Sequence, residues 1–245
     1  MSFNAAERGG RRREGGDDRA VVQAVILPDR MRRQQERWRI NDSIHTLEDS
    51  MHWLIKCRSK PNTDALREAT IDAHRNFLDG YPEVTWYSGP LFTDDNRNAI
   101  GSLRLIEFPH RAAALAYINA DPYTKTGIFA AITVERWKPA LDVRQRDYAR
   151  KAGTMQFVIH CRDKLDGGAL RAPLRDAHLE YLEDHRDIIV ARGPLLDDDG
   201  VKTIGSVLIL DVANKAAAEA FWADEPFNKA GVYDWTMERW RFGHV

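Results

Sequence analysis

Three pairs of side chains in this sequence have the types and spacing to do chemistry. His74 and His178 are the first: each closes an Asp-Ala-His triplet, Asp72-Ala73-His74 and Asp176-Ala177-His178. Imidazole titrates near neutrality, so a positioned histidine serves as general acid or base. Arg67 and Arg171 lie seven residues earlier, two helical turns back on the same face, where a guanidinium can hold a carboxylate, phenolate or enolate. Asp121-Pro122 and Glu225-Pro226 supply the carboxylates. A carboxylate that reached the imidazole would orient the ring and stabilise its charged form. Each pair also has a plainer reading: a core histidine satisfied locally, a solvated helix arginine, and an acid that caps a helix with proline at its first position.

These residues come in pairs because the chain is written twice. Shifted by 104 residues, Met51–Gly127 lies on Met155–Gly231 with 27 of 77 positions identical. Whole clusters coincide: Ala65-Leu66-Arg67 with Ala169-Leu170-Arg171, and Gly89-Pro90-Leu91 with Gly193-Pro194-Leu195. A repeat of this length names the structural unit before any other consideration. We take residues 51–138 and 155–245 as two domains and 139–154 as a linker, with one short helix through Val143–Arg150. Residues 1–50 stand outside the repeat. Their Gly- and Arg-rich run, Gly9 to Gly16, predicts a disordered, basic arm.

Within each copy the pattern predicts β-α-β-β-α-β. Met51–Cys57 alternates apolar Met51, Trp53, Ile55 and Cys57 with His52 and Lys56, a strand signature. A helix follows over Asp64–Asp79, then strands Val84–Phe92 and Ile100–Phe108, a helix Arg111–Ala120 and a last strand Ile128–Trp137. This is the ferredoxin-like split arrangement. Two helices cover only one face of such a sheet. The expected solution is α+β: tandem ferredoxin-like domains whose sheets face each other as an internal pseudo-dimer around a central cleft. A further homodimer of whole chains is compatible with this. Gly89 and Gly193 relieve strand geometry or let the backbone approach a ligand.

Composition narrows the function classes. A net charge of −1 points to no nucleic-acid partner, and no apolar run is long enough to span a membrane. Cys57 and Cys161 are the only cysteines and form no C-x-x-C pair, so no metal site is expected and free thiols in a reducing cytoplasm are. No cofactor is required by the residues singled out.

Together, Arg67, His74, Gly89-Pro90-Leu91, Gly101-Ser102, Asp121-Pro122-Tyr123 and Gly127, seen again in the second copy, resemble the YciI-like (YCII-related) domain family. The resemblance implies a dimeric α/β-barrel-type fold and an active-site pair of His74 with Asp121. In the second copy His178 matches, whereas Glu225 departs from the aspartate. Its extra methylene shifts the carboxylate by about 1 Å, enough to matter for positioned catalysis. The function expected is a small-molecule enzyme using a His–Asp acid/base pair for proton-transfer elimination or isomerisation, lyase-like. Arg67 and Arg171, with Gly89 and Gly193, would bind substrate. The alternative is a non-catalytic ligand-binding or structural module.

Overall fold

The computed structural model describes residues 50–244. The proposed arm of residues 1–50 lies outside them but for Ser50. The first repeat folds as β1 (Met51–Ser59), α1 (Asp64–Leu78), β2 (Thr85–Phe92), β3 (Ala99–Phe108), α2 (Arg111–Ala120), a one-turn α3 (Pro122–Lys125) and β4 (Phe129–Trp137). The second repeats the order as β5 (Met155–Asp163), α4 (Gly167–Asp184), β6 (Ile189–Leu196), β7 (Thr203–Val212), α5 (Lys215–Asp224), α6 (Pro226–Lys229) and β8 (Tyr233–Trp240). A 3-10 turn at Arg186–Ile188 leads into β6. No described helix is long and apolar enough to cross a membrane.

The alternation read in β1 sorts its side chains as expected. Trp53, Ile55 and Cys57 pack against the helices of their own repeat, with Tyr117, Ile118 and Tyr123. Phe157, Ile159 and Cys161 do the same against α5 and α6. The opposite faces meet each other. The eight strands close into one barrel in the order β1-β3-β2-β8-β5-β7-β6-β4. Leu54, Leu103, Leu105 and Trp137 of repeat one pack there with Val158, Val207, Ile209 and Trp240 of repeat two. The centre is therefore a filled core, and the cleft expected between the sheets does not form. A barrel of eight strands has an interior that side chains suffice to fill. Polar groups on these faces pair across the repeats: Lys56 Nζ lies 2.5 Å from Glu238, and the His160 ring, held neutral by burial, places Nε2 3.0 Å from Glu135.

Closure comes from two short seams. In one, Leu91 stands opposite Trp240 and Phe92 opposite Arg239. In the other, Trp137 stands opposite Leu195 and Arg136 opposite Leu196. Each seam runs on past the strand end. The Gly243 amide donates to the Ser88 carbonyl at 2.8 Å, and the Ala140 amide to the Arg192 carbonyl at 2.9 Å. So the tail after β8 lies along β2, and the start of the linker lies along β6. The linker forms turns, and the helix expected through Val143–Arg150 is absent. Its polar groups are engaged elsewhere: Gln145 is buried, accepts from the Ser88 amide and donates to the Gly243 carbonyl.

The seams also explain the repeated glycines. A Cβ on Gly89 would overlap the Arg241 carbonyl and press on the Trp240 ring. One on Gly193 would overlap the Lys138 carbonyl and press on Trp137. We expect Gly193→Ala to lower the unfolding free energy by about 3 kcal/mol, as overpacking against an unyielding backbone does. Gly168→Ala, where nothing lies within 4 Å, is the control and should cost nothing. Urea unfolding midpoints decide; equal midpoints for the two variants would remove the seam explanation.

Candidate functional site

His74 lies on α1, and the segment joining α2 to α3 brings a carboxylate to it. Asp121 is fully buried. It caps α3 through a 2.9 Å bond from the Tyr123 amide to Oδ1. The same oxygen lies 2.8 Å from His74 Nδ1. The cap and the histidine partner, weighed as rivals from sequence, are one residue doing both. Its second oxygen accepts from Arg104 Nη2 at 2.6 Å. Arg104 is 1% exposed and projects from β3 beside Tyr117.

The electrostatics follow from this chain of contacts. Burial alone would raise the Asp121 pKa, but the His74 hydrogen bond and the Arg104 charge outweigh it and hold the carboxyl below its usual range. The aspartate is thus an acceptor, and His74 donates from Nδ1. His74 itself is held below 6.5, first by burial and then by Arg104 and Arg67, against the pull of Asp121. At neutral pH the ring is uncharged, with its lone pair on Nε2. That nitrogen makes no hydrogen bond among the described residues.

The ring is set by Tyr123, which stacks on it with centroids 3.9 Å apart. Arg67 lies 4.9 Å from the centre of the same tyrosine ring. Arg67 donates from Nη2 to the Ser59 hydroxyl at 2.6 Å, while its Nε is buried without a partner. No carboxylate pairs with it among the described residues. These side chains line a cavity of about 630 Å³ with Gly89 and with Arg241 and Phe242 of the C-terminal tail. The site of one repeat is thus walled partly by the other.

The second repeat builds a similar frame with different chemistry. His178 Nδ1 lies 2.5 Å from Glu225, and the ring stacks on Phe227 at 3.9 Å. The longer acid still reaches. It also caps α6, its oxygens accepting from the Phe227 amide at 3.1 Å and the Asn228 amide at 2.8 Å. Leu208 stands where Arg104 would be, so no buried guanidinium faces Glu225. Arg171 is locked by two bonds to Asp163, at 2.8 and 2.7 Å, where the first repeat has Ser59. This cavity, of about 420 Å³, is also lined by Gly193 and by Ala140 of the linker.

The expected residues therefore assemble as two groups, each with histidine, acid, arginine and glycine. Sequence reading overlooked Arg104, which has no counterpart in the repeat. The signal was there: a lone arginine inside the apolar run Leu103 to Ile106 needs a buried partner. Among the described residues no group of three or more His, Cys, Asp or Glu side chains is placed to hold a metal ion.

Residues 51–138 and 155–240 each match the model of the YCII-related domain. No curated protein matches the chain. Among solved structures, a mutant chlorite dismutase from Candidatus Nitrospira defluvii covers 80% of this chain with 92% of its own, at 10% identity and a TM-score of 0.53. A heme-binding protein from Thermus thermophilus covers 78% with 91% of its own, at 12% identity and a TM-score of 0.51. Both have the same fold, and identity this low carries nothing further. A 5-chloro-2-hydroxyhydroquinone dehydrochlorinase from Burkholderia phenoliruptrix AC1100 aligns at 30% identity over 36% of this chain and 94% of its own, with a TM-score of 0.34.

Proposed function

Since the chain belongs to the YCII-related domain family, once in each repeat, we propose that it is a small-molecule enzyme working by acid–base chemistry at His74. The observation that carries this is the neutral imidazole anchored to Asp121 through Nδ1, with Nε2 unbonded beside an arginine that has no carboxylate. Nε2 takes a proton from an acidic carbon of the substrate. The electron pair moves onto a conjugated oxygen, and Arg67 holds the negative charge that develops there. Asp121 stabilises the imidazolium. The proton then returns to a different atom, which is an isomerisation, or a leaving group departs with the electron pair, which is a lyase-type elimination. Tyr123 keeps the ring in place.

One observation favours a second reading. Asp121 also caps α3 and neutralises Arg104, duties a purely structural carboxylate would have. On that reading the repeats are non-catalytic ligand-binding or structural modules.

Solvent exchange separates the two. A panel of small enolisable acids is incubated with the protein in deuterium oxide and followed by proton NMR. The acid–base reading expects protein-dependent exchange at one carbon of at least one acid, lost in His74→Gln while binding is kept. If wild type and His74→Gln behave alike across the panel, the acid–base reading is abandoned.

The same proposal places the chain in the cytoplasm, supported by its two free thiols, Cys57 and Cys161. It takes the internal pseudo-dimer as the working unit. The first cavity is walled by both repeats of this chain, and the second by its own repeat with Ala140 of the linker.

A further inference from the structure

The two cavities differ at several of the positions that line them. Three lining positions gain a charged or polar side chain in the second repeat, while Arg75 gives way to Leu179. Ile71 becomes Arg175, Ser88 becomes Arg192, and Ala99 becomes Thr203. Over the same comparison the second cavity loses what the chemistry at His74 uses. Arg104 becomes Leu208, Tyr123 becomes Phe227, and the arginine on the helix is tied to Asp163.

Arg192 is the informative residue. It sits on β6 just before Gly193, and its side chain is 13% exposed. Its guanidinium makes no hydrogen bond among the described residues, and its Nε is buried without a partner. Among the described residues its carboxylate partner is Glu183, 3.8 Å away and largely in solvent. Burial, then Arg186, disfavour its charge more than Glu183 supports it. A largely buried guanidinium with idle donors is costly unless something supplies the acceptor. The Ser206 and Thr203 side chains line the same cavity, beside Ala172, Leu182 and Phe227.

We infer that the second-repeat cavity is a binding site for a small amphipathic anion, an oxyanion head held by Arg192 and Arg175 on an apolar body, and not a second copy of the first site. Arg192 meets the head from the sheet and Arg175 from the helix. Leu182 and Phe227 receive the body. A phosphate ester and a carboxylate share this chemistry. The inference stands apart from catalysis at His74 and survives if that reading fails.

The test uses the full chain, with histidine-labelled protein titrated by phenyl phosphate, benzoate and, as the neutral match, benzyl alcohol. The His178 and His74 ring resonances are followed together. The expected result is a saturable shift at His178 with at least one anion and none with benzyl alcohol. Arg192→Ser, which installs the residue of the first cavity, should weaken binding about tenfold or more, the worth of a charge-assisted hydrogen bond. Its melting temperature should fall little, since the only ion pair lost among the described residues is the loose, solvent-exposed one to Glu183. Tighter phenyl phosphate marks a phosphate site, and tighter benzoate a carboxylate site. If Arg192→Ser fails to fold, Arg175→Ile reads the same head group from the helix. A shift confined to His74, equal binding of benzyl alcohol, no saturation by either anion at millimolar concentration, or unchanged affinity in the folded variant overturns the assignment.

Discussion

Asp121→Asn is expected to destabilise the protein by about 3–5 kcal/mol, the cost of leaving a buried charge without its partner. The carboxylate has no exposure, and Arg104 opposite it has 1%. An asparagine still accepts one bond with its oxygen, but its amide then turns donors toward the Arg104 guanidinium. Glu225→Gln is the built-in comparison. Its carboxylate is equally buried and bonds the same kind of histidine and helix amides, yet Leu208 stands where the arginine would be. Hydrogen bonds are perturbed there but no buried guanidinium is orphaned, so a cost of about 1.5–3 kcal/mol is expected. The double variant Asp121→Asn with Arg104→Leu should recover much of the loss, because it removes the orphaned charge. The pH dependence carries a sign that can be worked out. The folded pKa of Asp121 lies below its ordinary 3.8. Its contribution is therefore complete above about pH 4 and is lost as pH falls through the folded value. Asp121→Asn should flatten the acid limb of stability below pH 4 and leave the neutral region parallel to wild type. Urea unfolding across pH measures all of this. Equal losses in Asp121→Asn and Glu225→Gln would mean that the Arg104 pair contributes nothing.

That comparison also marks where sequence reading stopped. The repeat, the order of elements and the two faces of β1 were legible because they rest on local periodicity: Trp53, Ile55 and Cys57 go to the helices wherever β1 is placed. The pairing of His74 with Asp121 needed more. The two are 47 residues apart, and only the recurrence of both, with the family resemblance, set them side by side. Arg104 escaped because its partner is defined by how α2 ends over β3, which no spacing in either segment encodes. The seam glycines read from sequence as relieving strand geometry or admitting a ligand, and what stands against them is the neighbouring backbone of the seam. Gly89 looks like a ligand contact until the Arg241 carbonyl occupies its missing side chain. The linker helix failed for the same reason. Val143–Arg150 has helical residues, but Arg144 covers the Trp86 ring at 4.9 Å and bonds Glu107 at 3.0 Å. Tertiary contacts outweigh a propensity worth tenths of a kcal/mol per residue.

His74→Gln should lower kcat by about 10²–10⁴-fold on whichever acid the exchange panel finds, the range for loss of a positioned general base. Glutamine is the informative replacement. Its amide still donates to Asp121 and still lies against Tyr123, so the fold and the Arg104–Asp121 pair stay intact. What disappears is the lone pair that accepts the proton. KM should change little, because the proposed reading leaves substrate binding to other residues lining the cavity, Arg67, Arg241 and Phe242. A residue acting only through packing would give the reverse, a lower melting temperature with kcat preserved in the folded fraction. The pH profile adds an independent check. His74 must be neutral to act as base, and its pKa is held below 6.5, so the acid limb of kcat/KM in wild type should fall below pH 6.5. Asp121 is the group that favours the charged ring. In Asp121→Asn the limb should therefore move further to acid, while the plateau drops as the imidazolium loses its partner. The two effects run in opposite directions on the two axes, which distinguishes loss of the partner from general damage to the site. An acid limb above pH 6.5 in wild type, or a limb that stays in place in Asp121→Asn, would assign the titration to another group and take His74 out of the chemistry.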